Sequence, residues 1–198
     1  TDNANQRYGV NRVLLGDRRY LGLGAQPLMF TDPTKGFVAD AWNSDPKELY
    51  LNSEEVKMLA KCNNLIEAGN LIRSGAALTL DDNEIKKGPQ VLIIKKGGEG
   101  SLAIMDEGII ELPAFHTSKV IDPTGCGDSF AGALLAHLSL DNNNKPTIDV
   151  LKNALIHANV TASFTIEQMG VKGLINLRND EYEKRYQEYL TNILEINS

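Results

Sequence analysis

Apolar positions along this chain follow two periods, and each predicts a different element. Val91 to Ile94 is a continuous β-rich run, which predicts a strand covered on both faces. Val10 to Leu15 and Gly36 to Asp40 are short apolar runs that also read as strands. Ser101 to Met105 and Ile109 to Leu112 flank Asp106-Glu107-Gly108, a hairpin signal. Helical spacing appears at Val56, Leu59 and Ala60, inside a helix expected over Asn52 to Cys62. Asn52 or Ser53 stands there as N-cap, with Glu55 close behind. Leu65 to Arg73 reads as helix and stops at Ser74-Gly75. Ser129 to Leu138 is a third helix, followed by a polar loop from Asp141 to Pro146. Leu151 to Gln168 is a long helix closed by Gly170, and Asp180 to Leu194 is amphipathic. Strands alternating with helices predict an α/β sandwich with a mainly parallel central sheet covered on both sides.

Size and charge narrow the classes. The 198 residues suit one domain, or one domain with an extension. A net charge of −6 argues against a general nucleic-acid binder. The apolar runs are too short to cross a membrane, and polar Thr1 to Asn11 does not read as a secretory signal. Two cysteines, Cys62 and Cys126, give no disulfide framework, so a reduced cytoplasmic protein is expected. His116, His137 and His157 show no metal-binding spacing.

Chemistry concentrates in Asp-Pro-Thr-Gly-Cys-Gly-Asp-Ser-Phe, residues 122–130. Gly125 and Gly127 allow a sharp turn. The turn opens a helix, whose first amides lack intrahelical partners. Those amides and the positive end of the helix dipole form an anion site. Asp128 sits at its mouth. A carboxylate there suits a base that takes a hydroxyl proton while Gly125, Cys126 and Gly127 hold a transferring phosphoryl group. Cys126 reads as a small spacer rather than a nucleophile. The plainer alternative is a glycine-rich turn capped by Asp128.

This stretch resembles the second signature of the ribokinase/pfkB family of carbohydrate and nucleoside kinases. Asp122, Gly125, Cys126, Gly127, Asp128, Ser129, Phe130 and Gly132 all fall in its pattern, with Cys126 where Ala is commoner. The resemblance runs from Gly36 to the C-terminus, and residues 1–35 match nothing. It implies a ribokinase-like α/β/α sandwich and ATP-dependent phosphorylation of a hydroxyl on a sugar or nucleoside. It also implies which further residues matter. Gly97 and Gly100 fit the strand-to-turn element that borders ATP, with Lys95 where many members carry Thr. Asn159 matches a polar position that contacts the base or ribose. Asn52 and Glu55 match the Asn-x-x-Glu element near the phosphates and Mg²⁺, where contact through water is expected because Mg²⁺ keeps most of its waters. Asp122 and Thr124 match positions that bind an activating monovalent cation such as K⁺ in several members.

Each of these has a plainer alternative: a surface hairpin turn for Gly97–Gly100, a solvated polar residue for Asn159, a helix cap for Asn52 and Glu55, and turn chemistry for Asp122. The Gly-Gly pair and Asn that grip the sugar in the family's N-terminal half have no counterpart in the chain. The expectation is therefore a kinase lacking that half, with a complementing N-terminal half or a second copy as partner. A non-catalytic nucleotide-binding fragment is the alternative. A dinucleotide-binding oxidoreductase would need Gly-x-Gly-x-x-Gly opening a helix, and a strand follows Gly100 instead.

Overall fold

The computed structural model describes residues 20–22, 48–78, 88–141 and 146–196. The strands expected over 10–15 and 36–40 lie outside these residues, as does most of the 1–35 segment. The chain divides into two compact units, Thr1–Lys95 with Leu102–Ile109, and Lys96–Ser101 with Ile110–Ser198.

The first unit is built on strands. β1 (Tyr20–Gly22), β2 (Glu48–Asn52) and β3 (Val91–Lys95) run parallel, with Leu49 opposite Leu92 and Asn52 opposite Lys95. β4 (Ser101–Met105) and β5 (Gly108–Leu112) complete a five-stranded sheet in the order β1-β2-β3-β4-β5. The sheet is mixed, which corrects the expectation of a mainly parallel one. A parallel crossover needs a dozen or more residues. Only Asp106-Glu107 joins β4 to β5, and only residues 96–100 join β3 to β4, so these neighbours must run antiparallel.

β3 is buried from Val91 through Ile94, as its unbroken apolar run requires. Among the described residues two helices pack in this unit: α1 (Ser53–Ala60) and α2 (Leu65–Arg73). Leu51, Val56, Leu59, Ala68, Ile72, Leu92, Ile94, Leu102 and Ile104 form one core. Asn64 caps α2 by accepting from the amides of Ile66 and Glu67.

The second unit is helical. α3 (Cys126–Leu138) packs on α4 (Ile148–Ile166), and α4 packs on a short α5 (Lys172–Ile175) and on α6 (Asn179–Ile196). Phe130, Leu134 and Leu138 of α3 and Leu151, Leu155 and Ala158 of α4 are buried. Tyr189 of α6 is buried too, and its hydroxyl donates to the Pro113 carbonyl.

The helices of this unit also meet in a ring stack that carries a pH dependence. His137 and His157 lie face to face, with centroids 3.8 Å apart, and His157 also stacks on Tyr186 at 4.5 Å. The Tyr182 hydroxyl lies 2.7 Å from His157 Nδ1. Burial, and then the neighbouring His137, push the His157 pKa down from 6.5 to about 4, against the opposing charge of Glu183. The folded pKa is thus below the unfolded one. The contribution to stability is complete above about pH 6.5 and is lost as pH falls toward 4. His157 is half-buried, so solvent screening brings the effect to about 1–2 kcal/mol. Between pH 7 and 4.5 the urea midpoint should fall less in His157→Gln than in the unaltered protein. Equal falls would remove His157 as the cause.

Candidate active site

The signature turn lies wholly in the second unit. Gly125 is the N-cap of α3, at φ 85° and ψ −7°, a left-handed conformation that side chains disfavour. The helix starts at Cys126, three residues ahead of the expected start at Ser129, because this glycine makes the entire reversal alone. The Cys126 amide donates to the Pro123 carbonyl at 3.1 Å and closes the turn. The amides of Gly125, Gly127 and Asp128 have no partner among the described residues. The Asp128 carboxylate is exposed in the first turn of α3 and makes no hydrogen bond to the turn, as a cap would. The available anion donors are therefore Gly125, Gly127 and Asp128, with the Cys126 amide already engaged.

The approach to this turn is fixed on both sides. Asp122 Oδ1 accepts from the Thr124 amide at 2.9 Å, and Oδ2 accepts from the Gly170 amide at 3.3 Å. Hydrogen bonds from Thr124, and then the Gly170 amide, hold the Asp122 carboxyl below the usual carboxylate range. The amides of Ile121 and Asp122 both donate to the Ile166 carbonyl at the end of α4. The Thr165 hydroxyl, fully buried, donates to Ser129 Oγ at 2.8 Å, and Ser129 Oγ donates to the Cys126 carbonyl at 3.1 Å. Burial, and then Asp122, push the Cys126 thiol up, away from the reactive thiolate.

The second glycine turn also belongs to this unit. Lys96 N–H donates to the Gly100 carbonyl at 2.8 Å around a short 3₁₀ turn, Gly97–Glu99. Gly97 has φ 59°, and a Cβ there would meet nothing within 4 Å. Gly100 differs: at φ 98°, a Cβ would lie 2.1 Å from the Leu112 carbonyl oxygen. Gly100 is therefore glycine because of its own chain, and Gly97 presents the open side of the turn. Asn159 is buried in α4 and pins the residue after this turn. Its Nδ2 donates to Ser101 Oγ and to the Leu155 carbonyl, both at 3.0 Å. The Leu155 carbonyl fixes the orientation of the amide, and both of its N–H groups are engaged. Oδ1 is what Asn159 has left to offer.

Asn52, Glu55 and Lys95 stand in the first unit. Asn52 is the N-cap of α1 at the end of β2, and Asn52 Oδ1 accepts from the Glu55 amide at 2.8 Å. Glu55 Oε2 accepts from the Asn52 amide at 2.7 Å, which completes a capping box. Glu55 is only 4% exposed, and its Oε1 is buried without a partner. Burial raises the Glu55 pKa, against the Asn52 amide and the charge of Lys95. A buried carboxylate oxygen without a donor is costly unless water or a cation satisfies it. A hydrated divalent cation fits that oxygen. Among the described residues no three acidic, His or Cys side chains gather as a metal site.

Sequence reasoning did not reach Thr165, the Gly170 amide or strand β2. Thr165 and Ser129 are 36 residues apart, and nothing local in the sequence links them.

A mixed sheet in one unit, and in the other a two-glycine turn that leaves amides unpartnered at the start of a buried helix pair, define an α/β protein. Residues 47–176 match the pfkB family carbohydrate kinases, more than half of the chain, and the chain belongs to that family. It is 36% identical over 99 residues to a nucleoside kinase of Methanocaldococcus jannaschii, an alignment spanning 50% of this chain and 30% of that protein. The fold is similar to the crystal structure of that archaeon's nucleoside kinase, with a TM-score of 0.52 and 25% identity over 76% of this chain and 42% of that one. It is also similar to aminoimidazole riboside kinase from Salmonella enterica complexed with aminoimidazole riboside and an ATP analog. There the TM-score is 0.58 at 23% identity, covering 79% of this chain and 47% of that one. The chain thus spans less than half the length of these relatives.

Proposed function

We propose that this chain carries the phosphate-handling side of an ATP-dependent kinase whose acceptor is a hydroxyl group of a sugar or nucleoside. One observation carries the reading: the unpartnered amides of Gly125, Gly127 and Asp128 stand at a helix start that also presents the exposed Asp128 carboxylate. Family membership and the ATP analog in the Salmonella relative support it.

In this reading Gly125 and Gly127, with the Asp128 amide, stabilise charge on the phosphoryl group in flight. Cys126 keeps the turn small, and its own amide holds the turn shut. The Asp128 carboxylate accepts the acceptor's hydroxyl proton. A loose transition state, in which the proton leaves late, asks little of the base that receives it. Gly97 and Gly100 shape the nucleotide-side turn, and Lys95 precedes it. Asn159 holds Ser101 behind that turn and has an acceptor oxygen for an amino group of the base. Asn52 and Glu55 would hold Mg²⁺ through water, with Glu55 Oε1 as the acceptor. When bound, Mg²⁺ neutralises charge on the donor phosphates. Asp122 and Thr124 are the residues that would meet a monovalent cation such as K⁺.

The test is thermal unfolding with candidate ligands. At about 100 times its Kd, ATP with Mg²⁺ should raise the melting temperature by about 5–10 °C. NAD should not. Equal stabilisation by NAD, or none by ATP, would count against a kinase site.

A further inference from the structure

We propose that Thr165 and Ser129 are positioning residues: their hydroxyls aim the first turn of α3, and with it the free amides and the Asp128 carboxylate. This deepens the kinase reading and rests on it.

Thr165 is fully buried at the end of α4, where a hydroxyl must find a partner. It donates to Ser129 Oγ at 2.8 Å, while a carbonyl of its own helix, Thr161, lies farther away at 3.5 Å. Ser129 then donates to the Cys126 carbonyl at 3.1 Å. Cys126 is the first residue of α3, and its amide is tied to Pro123. The relay therefore fixes the peptide joining Cys126 to Gly127 from its carbonyl side. The N–H of that same peptide is the unpartnered Gly127 donor. A planar peptide held at its oxygen has its N–H direction set as well.

The Thr165 methyl group faces the same turn. Its Cγ2 is 3.7 Å from where a Cβ on Gly125 would stand. The neighbouring Ile166 carbonyl takes the amides of Ile121 and Asp122, and Gly170 holds Asp122 Oδ2. One turn at the end of α4 thus mounts the signature both before and after Gly125. Hydroxyl and methyl can be removed separately, which makes the role of the Thr165 hydroxyl testable. Valine keeps the shape and loses the hydroxyl. Serine keeps the hydroxyl and loses the methyl.

The experiment has two independent readings on the 198-residue chain. The first is ligand-free: ¹⁵N amide spectra and hydrogen exchange at Gly125, Gly127 and Asp128. Thr165→Val should shift the Gly127 and Asp128 resonances and speed their exchange, with α6 amides unchanged. Thr165→Ser should leave Gly127 and Asp128 near their original positions. The second is calorimetric titration with ATP and Mg²⁺. Thr165→Val should weaken binding by about five- to tenfold, the effect expected of one misdirected hydrogen bond, and Thr165→Ser should restore most of it. Ser129→Ala should match Thr165→Val, and the double variant should be no worse than either alone. Unchanged Gly127 and Asp128 amides in Thr165→Val would overturn the positioning role, whatever ATP does. Amides that shift as expected, in a chain that binds no ATP, would uphold the positioning role and sink the kinase reading.

Discussion

Asp128→Asn should lower kcat by about 10²–10⁴-fold in any form of the protein that turns over, the range for a positioned general base. ATP affinity should hold or improve, because the substitution removes a negative charge beside the amides proposed to meet the phosphates. The structure sharpens this expectation. Asp128 supplies both a backbone amide and a carboxylate to the helix start, and Asn leaves the amide in place. It also leaves the fold intact, since the exposed carboxylate makes no hydrogen bond to the turn. A loss confined to kcat would therefore separate the proton acceptor from the anion donors, and steady-state kinetics with varied ATP would read it directly. A variant with near-normal kcat would sink the base assignment. A rise in KM for ATP with kcat unchanged would mean that the carboxylate binds rather than reacts.

How much of this was legible in the sequence depended on how local each cause is. The helix over Leu65–Arg73 matches residue for residue, because its apolar spacing and the Ser74-Gly75 stop behind it are local signals. Val91 to Ile94 read correctly as a strand covered on both faces for the same reason. The sheet direction was misread although the sequence contained the answer. Asp106-Glu107-Gly108 is a hairpin signal, and a hairpin forbids a parallel pair, whereas the alternation of strands and helices points to a parallel sheet.

The family signature was legible as a string, yet its mounting was not. The Thr165–Ser129 bond spans 36 residues and the Asp122–Gly170 bond spans 48, and neither has a periodic trace. Asn159 shows the same limit from the other side. Its position in a helix was readable, but not that both its N–H groups are already engaged by Leu155 and Ser101.

The largest stability effect should come from Gly100→Ala, and the comparison with Gly97→Ala shows why. Both glycines have positive φ, at 98° and 59°, so both favour a residue without Cβ. Gly97 is left-handed with open space around it, and Ala there should cost only about 1–2 kcal/mol. Gly100 combines φ 98° with ψ −132°, a region that side chains hardly visit. Its added Cβ would also lie 2.1 Å from the Leu112 carbonyl oxygen and 2.4 Å from the Pro113 carbonyl carbon. These are backbone atoms at the end of β5, which cannot swing aside as a side chain would. Relief requires the chain at Leu112 and Pro113 to move, and the Pro113 carbonyl is the acceptor for buried Tyr189. The strain therefore spreads from the Gly97–Gly100 turn to α6. Gly100→Ala should lose about 3–4 kcal/mol, among the larger losses a single substitution gives, because backbone strain and a steric conflict add here. Urea unfolding of the two variants side by side would measure it. Similar midpoints for Gly97→Ala and Gly100→Ala would mean that Leu112 and Pro113 yield freely, and that Gly100 owes its identity to something other than its own chain.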